Sequence, residues 1–144
     1  MAPKRKLHAH PELCRDCQPC VLACSLYHER RCGPSLARLA IVKDMARYTF
    51  RIVICQHCED PACMAACPTG ALAADGRDVV VLDQDACIQC GACRDACPHD
   101  AIVYVESAGC THPRRYLKCD LCGGREGPLC IEVCPVAAIT FGEE

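Results

Sequence analysis

Hydrophobic positions in this chain come in short bursts, not in long faces. Four pieces rich in branched residues, Arg51 to Ile54, Val79 to Leu82, Ile102 to Val105 and Ile139 to Phe141, read as strands. Cysteines fill the stretches between them. In each of four cysteine groups the third and fourth stand four residues apart, which in a helix puts them one turn apart on one face. The pattern therefore predicts a recurring series of strand, cysteine loop, one or two helical turns and strand. Asp75-Gly76 and Gly123-Gly124 read as turns, and Glu126-Gly127-Pro128 as a loop. The apolar runs, such as Val79 to Leu82 and Ala101 to Val105, are far too short to span a bilayer.

Sixteen of the eighteen cysteines fall into the four groups, leaving Cys32 and Cys110 outside. The first group is Cys14, Cys17, Cys20 and Cys24. The second is Cys55, Cys58, Cys63 and Cys67, followed by Pro68. The third is Cys87, Cys90, Cys93 and Cys97, followed by Pro98, and the fourth is Cys119, Cys122, Cys130 and Cys134, followed by Pro135. This is an internal repeat, and it extends past the cysteines. Cys67-Pro68-Thr69-Gly70-Ala71-Leu72 aligns with Cys97-Pro98-His99-Asp100-Ala101-Ile102 and with Cys134-Pro135-Val136-Ala137-Ala138-Ile139. The first unit departs, running Cys24-Ser25-Leu26-Tyr27-His28 with no proline.

A length of 144 residues suits one small domain. Setting the cysteines aside brings the 51% hydrophobic content down to roughly 38%. Four Tyr, two Phe and no Trp complete a chain poorly supplied for a conventional core, so a group bound to the cysteines is expected to fill the interior. The basic start, Lys4-Arg5-Lys6, is not followed by the apolar stretch of a secretory signal, and Arg30-Arg31 lies after four cysteines. The expected compartment is a reducing cytoplasm, where thiols stay free for metals, and a disulfide scaffold is the weaker reading. A net charge of −2 gives no broad basic footprint for nucleic acid.

A cubane of four irons and four sulfides needs one thiolate per iron, so it consumes cysteines in fours. Cysteines two residues apart wrap a loop round one cluster with backbone N–H groups turned toward the sulfides. The proline after the last cysteine ends the helical turn and sends the polypeptide away. Zinc is the bland competitor, since Cys-x2-Cys pairs also build all-cysteine zinc sites. Triples of cysteine closing in Cys-x3-Cys-Pro are an awkward arrangement for tetrahedral zinc.

The segment from Cys87 to Pro98 resembles a bacterial dicluster ferredoxin motif almost letter for letter. Cys55-Gln56-His57-Cys58-Glu59-Asp60-Pro61-Ala62-Cys63, with Cys67-Pro68-Thr69-Gly70-Ala71 and the long Cys122 to Cys130 gap, resembles a narrower family. That family is the four-cluster electron-transfer subunits of molybdenum and tungsten oxidoreductases, and the resemblance runs from about Leu13 to Phe141. It implies an α+β fold of nested dicluster ferredoxin-like units, an inner one over about 46–106 and an outer one over about 7–45 with 107–141. It also implies four [4Fe–4S] clusters with nested ligation. One cluster takes Cys14, Cys17, Cys20 and Cys134, and a second Cys119, Cys122, Cys130 and Cys24. A third takes Cys55, Cys58, Cys63 and Cys97, and a fourth Cys87, Cys90, Cys93 and Cys67. The gaps Cys67 to Cys87 and Cys97 to Cys119 are similar, so spacing alone leaves a sequential pairing open.

The implied function is electron conduction, without catalysis of its own, between a large molybdenum- or tungsten-pterin subunit and a second redox partner, a flavin/NAD-linked subunit or a soluble ferredoxin. An aldehyde- or formate-oxidising partner is favoured over a membrane-bound one. The alternatives are a free-standing diffusible ferredoxin or a carrier serving a carbon monoxide dehydrogenase or hydrogenase, and remotely a zinc-stabilised interaction module. A wire that reaches the surface at both ends also raises self-association into longer stacks.

Other features carry less. Cys32 and Cys110 read as spare thiols. His57 and His99, beside the cysteine loops, read as packing or surface residues before hydrogen-bond donors to a sulfide. His8, His10, His28 and His112 fit no ligand arrangement. Lys4-Arg5-Lys6 reads as a solvated tail, and Arg114-Arg115 with Lys118 either meets a partner or neutralises cluster charge. No glycine-rich phosphate motif or catalytic constellation appears.

Overall fold

Every strand among the described residues pairs with a single neighbour. The computed structural model describes residues 5–106, 114–123 and 125–143. In chain order they form β1 (Arg5–Ala9), α1 (Pro19–Glu29), β2 (Ala40–Asp44), β3 (Thr49–Val53), α2 (Ala62–Ala66), β4 (Leu72–Ala74), β5 (Val80–Leu82), α3 (Ala92–Ala96), β6 (Val103–Glu106), β7 (Arg114–Leu117), α4 (Leu129–Val133) and β8 (Ile139–Glu143). Four two-stranded antiparallel sheets result, β1 with β8, β2 with β3, β4 with β5 and β6 with β7. The strand that leaves one cysteine group pairs with the strand that enters the next. The β1–β8 pair, from Arg5 opposite Glu143 to Ala9 opposite Ile139, closes the series into a ring.

Four of the eight strands, β3, β5, β6 and β8, were legible as runs of branched residues, each within two residues of its expected ends. The other four are additions or corrections. β1 is Arg-Lys-Leu-His-Ala and β7 is Arg-Arg-Tyr-Leu, both of which read as charged segments. Arg5 and Lys6 are therefore strand residues, not part of a tail. β4 is the three residues Leu72–Ala74, too short to show an alternation, and β2 ends in the charged Lys43 and Asp44. Each is a strand because its partner supplies the hydrogen bonds, a tertiary effect that overrides local preference.

The helices differ by one residue. In three units proline follows the fourth cysteine, and a residue before proline is pushed out of the helical region. Cys67, Cys97 and Cys134 accordingly lie just past five-residue helices in extended conformation, with ψ 116°, 118° and 114°. The expectation that third and fourth cysteines share a helix face holds only in the first unit. There Ser25 replaces proline, and α1 runs through Cys20 and Cys24 to a left-handed end at Arg30, φ 57°. Ser25 is fully buried; its hydroxyl donates to the Leu22 carbonyl at 3.0 Å and accepts the Gly33 N–H at 3.2 Å.

α1 packs against α4, and α2 against α3. A two-stranded ribbon alone is marginal, and here each is anchored by residues turned inward. Leu7, Ile52, Ile54 and Ile139 share one buried cluster with Cys14, Cys20, Cys24 and Cys130. Leu72, Val80 and Ile102 form another with Cys63 and Cys93. Both clusters thus include sulfur. The aligned pairs Ala71-Leu72, Ala101-Ile102 and Ala138-Ile139 are all buried to 3% exposure or less. The Asp75-Gly76 turn joins β4 to β5, with the Asp75 carboxylate accepting N–H groups of Arg77 and Val79 at 2.8 and 3.1 Å. Gly123 ends a described segment, while Gly124 lies outside the described residues, as do Lys4, Cys110 and His112.

Candidate metal centres

Each cysteine loop is built on a backbone feature that residue types do not announce. The second residue after the first cysteine has positive φ in all four units: Asp16 54°, His57 45°, Gln89 60° and Leu121 55°. Left-handed backbone is uncommon for residues other than glycine, and Leu is an unusual choice for it. In three units this turn aims an N–H back at the first cysteine: His57, Gln89 and Leu121 donate to the sulfurs of Cys55, Cys87 and Cys119 at 3.4, 3.4 and 3.5 Å. A second left-handed position falls three residues after the last cysteine, at Gly70, Asp100 and Ala137. Successive N–H groups turned inward in this way form the concavity that receives anionic groups.

The last cysteine of the fourth unit also receives a donor. The Ala138 N–H reaches the Cys134 sulfur at 3.3 Å. In the first unit the same role falls to the Arg38 N–H, 3.3 Å from Cys24 although fourteen residues away. The prolonged α1 displaces the returning backbone, and the Ala37-Arg38-Leu39 segment comes back to the equivalent place. Ala37 and Leu39 are as buried there as the aligned Ala and Leu or Ile residues of the other units.

Among the described residues these loops line cavities that open in part to solvent, three of which hold a full cysteine quartet. The first, about 330 Å³, is lined by Cys14, Cys17, Cys20 and Cys134 among Ile41, Ile52 and Ile139. The second, about 390 Å³, is lined by Cys55, Cys58, Cys63 and Cys97 with His57, Val80, Ile102 and Lys118. The third, about 280 Å³, is lined by Cys24, Cys119, Cys122 and Cys130 with His28, Arg38 and Ile54. For the remaining four, Cys87, Cys90 and Cys63 act electrostatically on Cys93, and Cys67 packs with Cys93 in one core cluster. The first cysteine group thus meets the fourth, and the second meets the third. Among the described residues no three Cys, His, Asp or Glu side chains converge tightly enough to hold a single ion. Sulfurs spread round a cavity suit a cubane.

Electrostatics show what a bound metal must supply. Burial pushes the Cys130 thiol up to about 12 and Cys20 up to about 11, with neighbouring cysteines adding to the rise, and Cys119 is raised further. Such groups become thiolates only beside a strong positive charge, which iron supplies. Cys67 is the exception, lowered to about 7 chiefly by the Thr69 hydroxyl. The donor set therefore fits iron–sulfur cubanes.

Charged side chains gather at the same places. Burial opposes a charge on His28, but hydrogen bonds to Asp120 at 2.8 Å and to Cys24 outweigh it and raise the ring to about 9. Glu29 pairs with Arg115 and with Arg38 at 3.5 Å. The sequence does not announce the pairing of His28 with Asp120, because 92 residues separate them. His57 is buried at 3% exposure, with neither ring nitrogen hydrogen-bonded, and burial followed by the charge of Lys118 lowers its pKa to about 3. His99 and Cys32 are exposed, His8 is exposed, and His10 meets the Thr140 hydroxyl at 3.2 Å. Lys118 is buried, unlike a docking residue, whereas Arg114 pairs with Glu106 at the surface.

Cysteine quartets around cavities, in ferredoxin-type loops, define an iron–sulfur electron carrier of α+β class. Residues 45–144 match the 4Fe-4S dicluster domain, and residues 11–27 a 4Fe-4S binding domain. The protein belongs to the 4Fe-4S dicluster family. It is 35% identical over 145 aligned residues to the B subunit of the anaerobic dimethyl sulfoxide reductase of Escherichia coli K12, covering 90% of this chain and 68% of that one. It is 31% identical to the thiosulfate reductase electron transfer subunit PhsB of Salmonella typhi, covering 90% and 70%. The active site complex BamBC of benzoyl coenzyme A reductase shares the fold at TM-score 0.58 and 23% identity, over 97% of this chain and 80% of that one. The protein carries multiple [4Fe–4S] clusters and works as an electron-transfer subunit, not as the catalyst. Among the described residues no helix is long and apolar enough to cross a membrane.

Proposed function

We propose that this protein conducts electrons through four [4Fe–4S] clusters between a molybdenum- or tungsten-pterin catalytic subunit and a second redox partner, in the reducing cytoplasm. The ligand sets are Cys14, Cys17, Cys20 and Cys134; Cys119, Cys122, Cys130 and Cys24; Cys55, Cys58, Cys63 and Cys97; and Cys87, Cys90, Cys93 and Cys67. When bound, the clusters supply one-electron transfer. The protein spaces them, shields them and directs N–H groups at their sulfurs.

The observation that carries this reading is the order in which the quartets meet. Cys93 lies within electrostatic reach of Cys63, Cys55 of Cys119, and Cys130 of Cys20. Those three links string the quartets into one line. Cys90 at one end and Cys17 at the other are exposed, while Cys55, Cys63, Cys122 and Cys130 in the middle are buried. A conductor needs its entry and exit at the surface and its interior dry. The same neighbours support an inner unit over about 46–106 and an outer unit over about 7–45 with 107–141, whose junctions split the β2–β3 and β6–β7 pairs.

The names of the relatives favour a reductase as the catalytic partner over the aldehyde or formate oxidation first expected. The second partner is a flavin/NAD-linked subunit or a soluble ferredoxin. Iron and acid-labile sulfide in anaerobically purified protein test the cofactor count: about sixteen of each is expected. Zinc near four without sulfide overturns it. Co-purification with a large molybdenum or tungsten protein tests the role, and a stable lone monomer makes the protein a diffusible carrier instead.

A further inference from the structure

Among the described residues, buried polar side chains are few: Ser25, His57 and Lys118. Ser25 is satisfied by the Leu22 carbonyl and the Gly33 N–H, but the other two are not explained by packing. Lys118 is 5% exposed, and its Nζ donates to the carbonyls of Val80 at 2.6 Å and Cys119 at 3.2 Å. Both acceptors are neutral. An ammonium held away from water against neutral groups is costly unless a negative charge stands near. His57 is a buried imidazole with no hydrogen-bond partner for either ring nitrogen, which is costly in the same sense. Both side chains line the cavity of Cys55, Cys58, Cys63 and Cys97.

That shared cavity identifies the missing partner. Lys118 precedes Cys119 in sequence, yet among charges its influence on the Cys63 sulfur is the largest, while on Cys119 it ranks behind Cys55 and Cys130. A cubane with four thiolates carries about −2 when oxidised and gains another negative charge on reduction. A fixed positive charge at low dielectric favours the reduced form. A neutral imidazole has one N–H to give, and a hydrogen bond to a cluster sulfur acts in the same direction.

We propose that Lys118 and His57 raise the potential of the cluster held by Cys55, Cys58, Cys63 and Cys97 above the value its thiolates alone would set, Lys118 by its buried charge and His57 by a ring N–H given to a sulfur. The inference rests on the ligation proposed above. This quartet is an interior link, with Cys93 on one side and Cys119 on the other. One electron enters from one neighbouring cluster and one leaves to the next, and no proton or atom moves. The two residues are tuning groups and touch no substrate.

The test is an EPR-monitored redox titration of the holoprotein and of Lys118→Met, Lys118→Arg and His57→Phe, each first assayed for iron and sulfide. With full iron, Lys118→Met lowers the reduction equilibrium of one cluster about tenfold, which is ~59 mV for one electron, and leaves the other three in place. His57→Phe shifts the same signal the same way by less, and Lys118→Arg restores it. No shift, or an equal shift in all four, overturns the proposal and leaves the ligation standing. Fewer than about sixteen irons in the unaltered protein brings down the ligation and this inference with it. Should Lys118→Met lose iron, pulsed EPR of unaltered protein labelled with 15N at the lysine side chains decides. A lysine nitrogen coupled to one reduced cluster supports the proposal, and none overturns it.

Discussion

Cys63 and Cys32 carry the same thiol into opposite surroundings. Cys63 is buried at the start of α2 beside Cys55, Cys58 and Cys97, whereas Cys32 is exposed. Cys63→Ser is expected to lower bound iron from about sixteen to about twelve, or to leave an altered cluster with its own EPR signal, while Cys32→Ala retains about sixteen. Iron and sulfide assays on the two variants check this. Asp75 illustrates a smaller effect. Burial works against its charge, but the Arg77 guanidinium and the N–H groups of Arg77 and Val79 outweigh it and hold its carboxyl below the usual range. A lowered carboxylate contributes stability above its unfolded value and loses that contribution as pH falls through the folded one. Asp75→Ala should therefore cost roughly 1–2 kcal/mol at neutral pH. The difference from the parent should shrink in acid, read from urea midpoints of the cluster absorbance. A midpoint that Asp75→Ala leaves unchanged at neutral pH would count against the turn's role.

At the scale of the element, one proline decides whether a helix has five residues or eleven. Cys67-Pro68, Cys97-Pro98 and Cys134-Pro135 announced the helix ends in the sequence, and Cys24-Ser25 announced the departure. The left-handed loop positions were not legible, because Asp16, His57, Gln89 and Leu121 share a place in the repeat and no chemistry. Two glycines let the backbone requirement be measured. Gly70 has φ +68° with open space where a Cβ would stand, and Gly91 has φ +79° with the Tyr116 hydroxyl 2.8 Å from that point. Gly70→Ala should cost about 1 kcal/mol from backbone strain alone. Gly91→Ala should cost about 2 kcal/mol, because the Tyr116 ring, packed 5.1 Å from Tyr104, must also shift. Chemical denaturation followed by cluster absorbance compares them, and equal costs would mean the tyrosine yields freely.

The molecule as a whole is a ring of four ribbons around thiol-lined cavities, with core clusters that include cysteine sulfur. The apolar side chains are few, so metal binding is expected to supply much of the folding free energy. Chelation of iron under anaerobic, reducing conditions is expected to abolish the cooperative unfolding transition and most of the secondary structure, seen by far-ultraviolet circular dichroism. An apoprotein that still melted cooperatively would show that the ribbons and helices suffice. Binding of the four clusters proposed above would take the charge from −2 to about −10. Arg38 and Lys118, which line two of the cysteine cavities, stand where they would offset part of that charge.

The sequence by itself pointed to the cofactor chemistry, since four groups of four cysteines, each opening in Cys-x2-Cys and closing in Cys-x3-Cys, match the pattern of iron–sulfur loops. It also determined the fold class, three of the helix ends and four of the eight strands, because these depend on local patterns of cysteine, proline and branched residues. Only the tertiary structure brought the first cysteine group to the fourth and the second to the third, by packing α1 on α4 and α2 on α3. It alone showed that Arg38, fourteen residues from Cys24, takes the donor's place that a near neighbour holds beside Cys134. It alone showed that charged segments become β1 and β7, and that Lys118 and His57 face one cavity. Those outcomes depend on contacts between residues far apart in the sequence, whose distances no local spacing records.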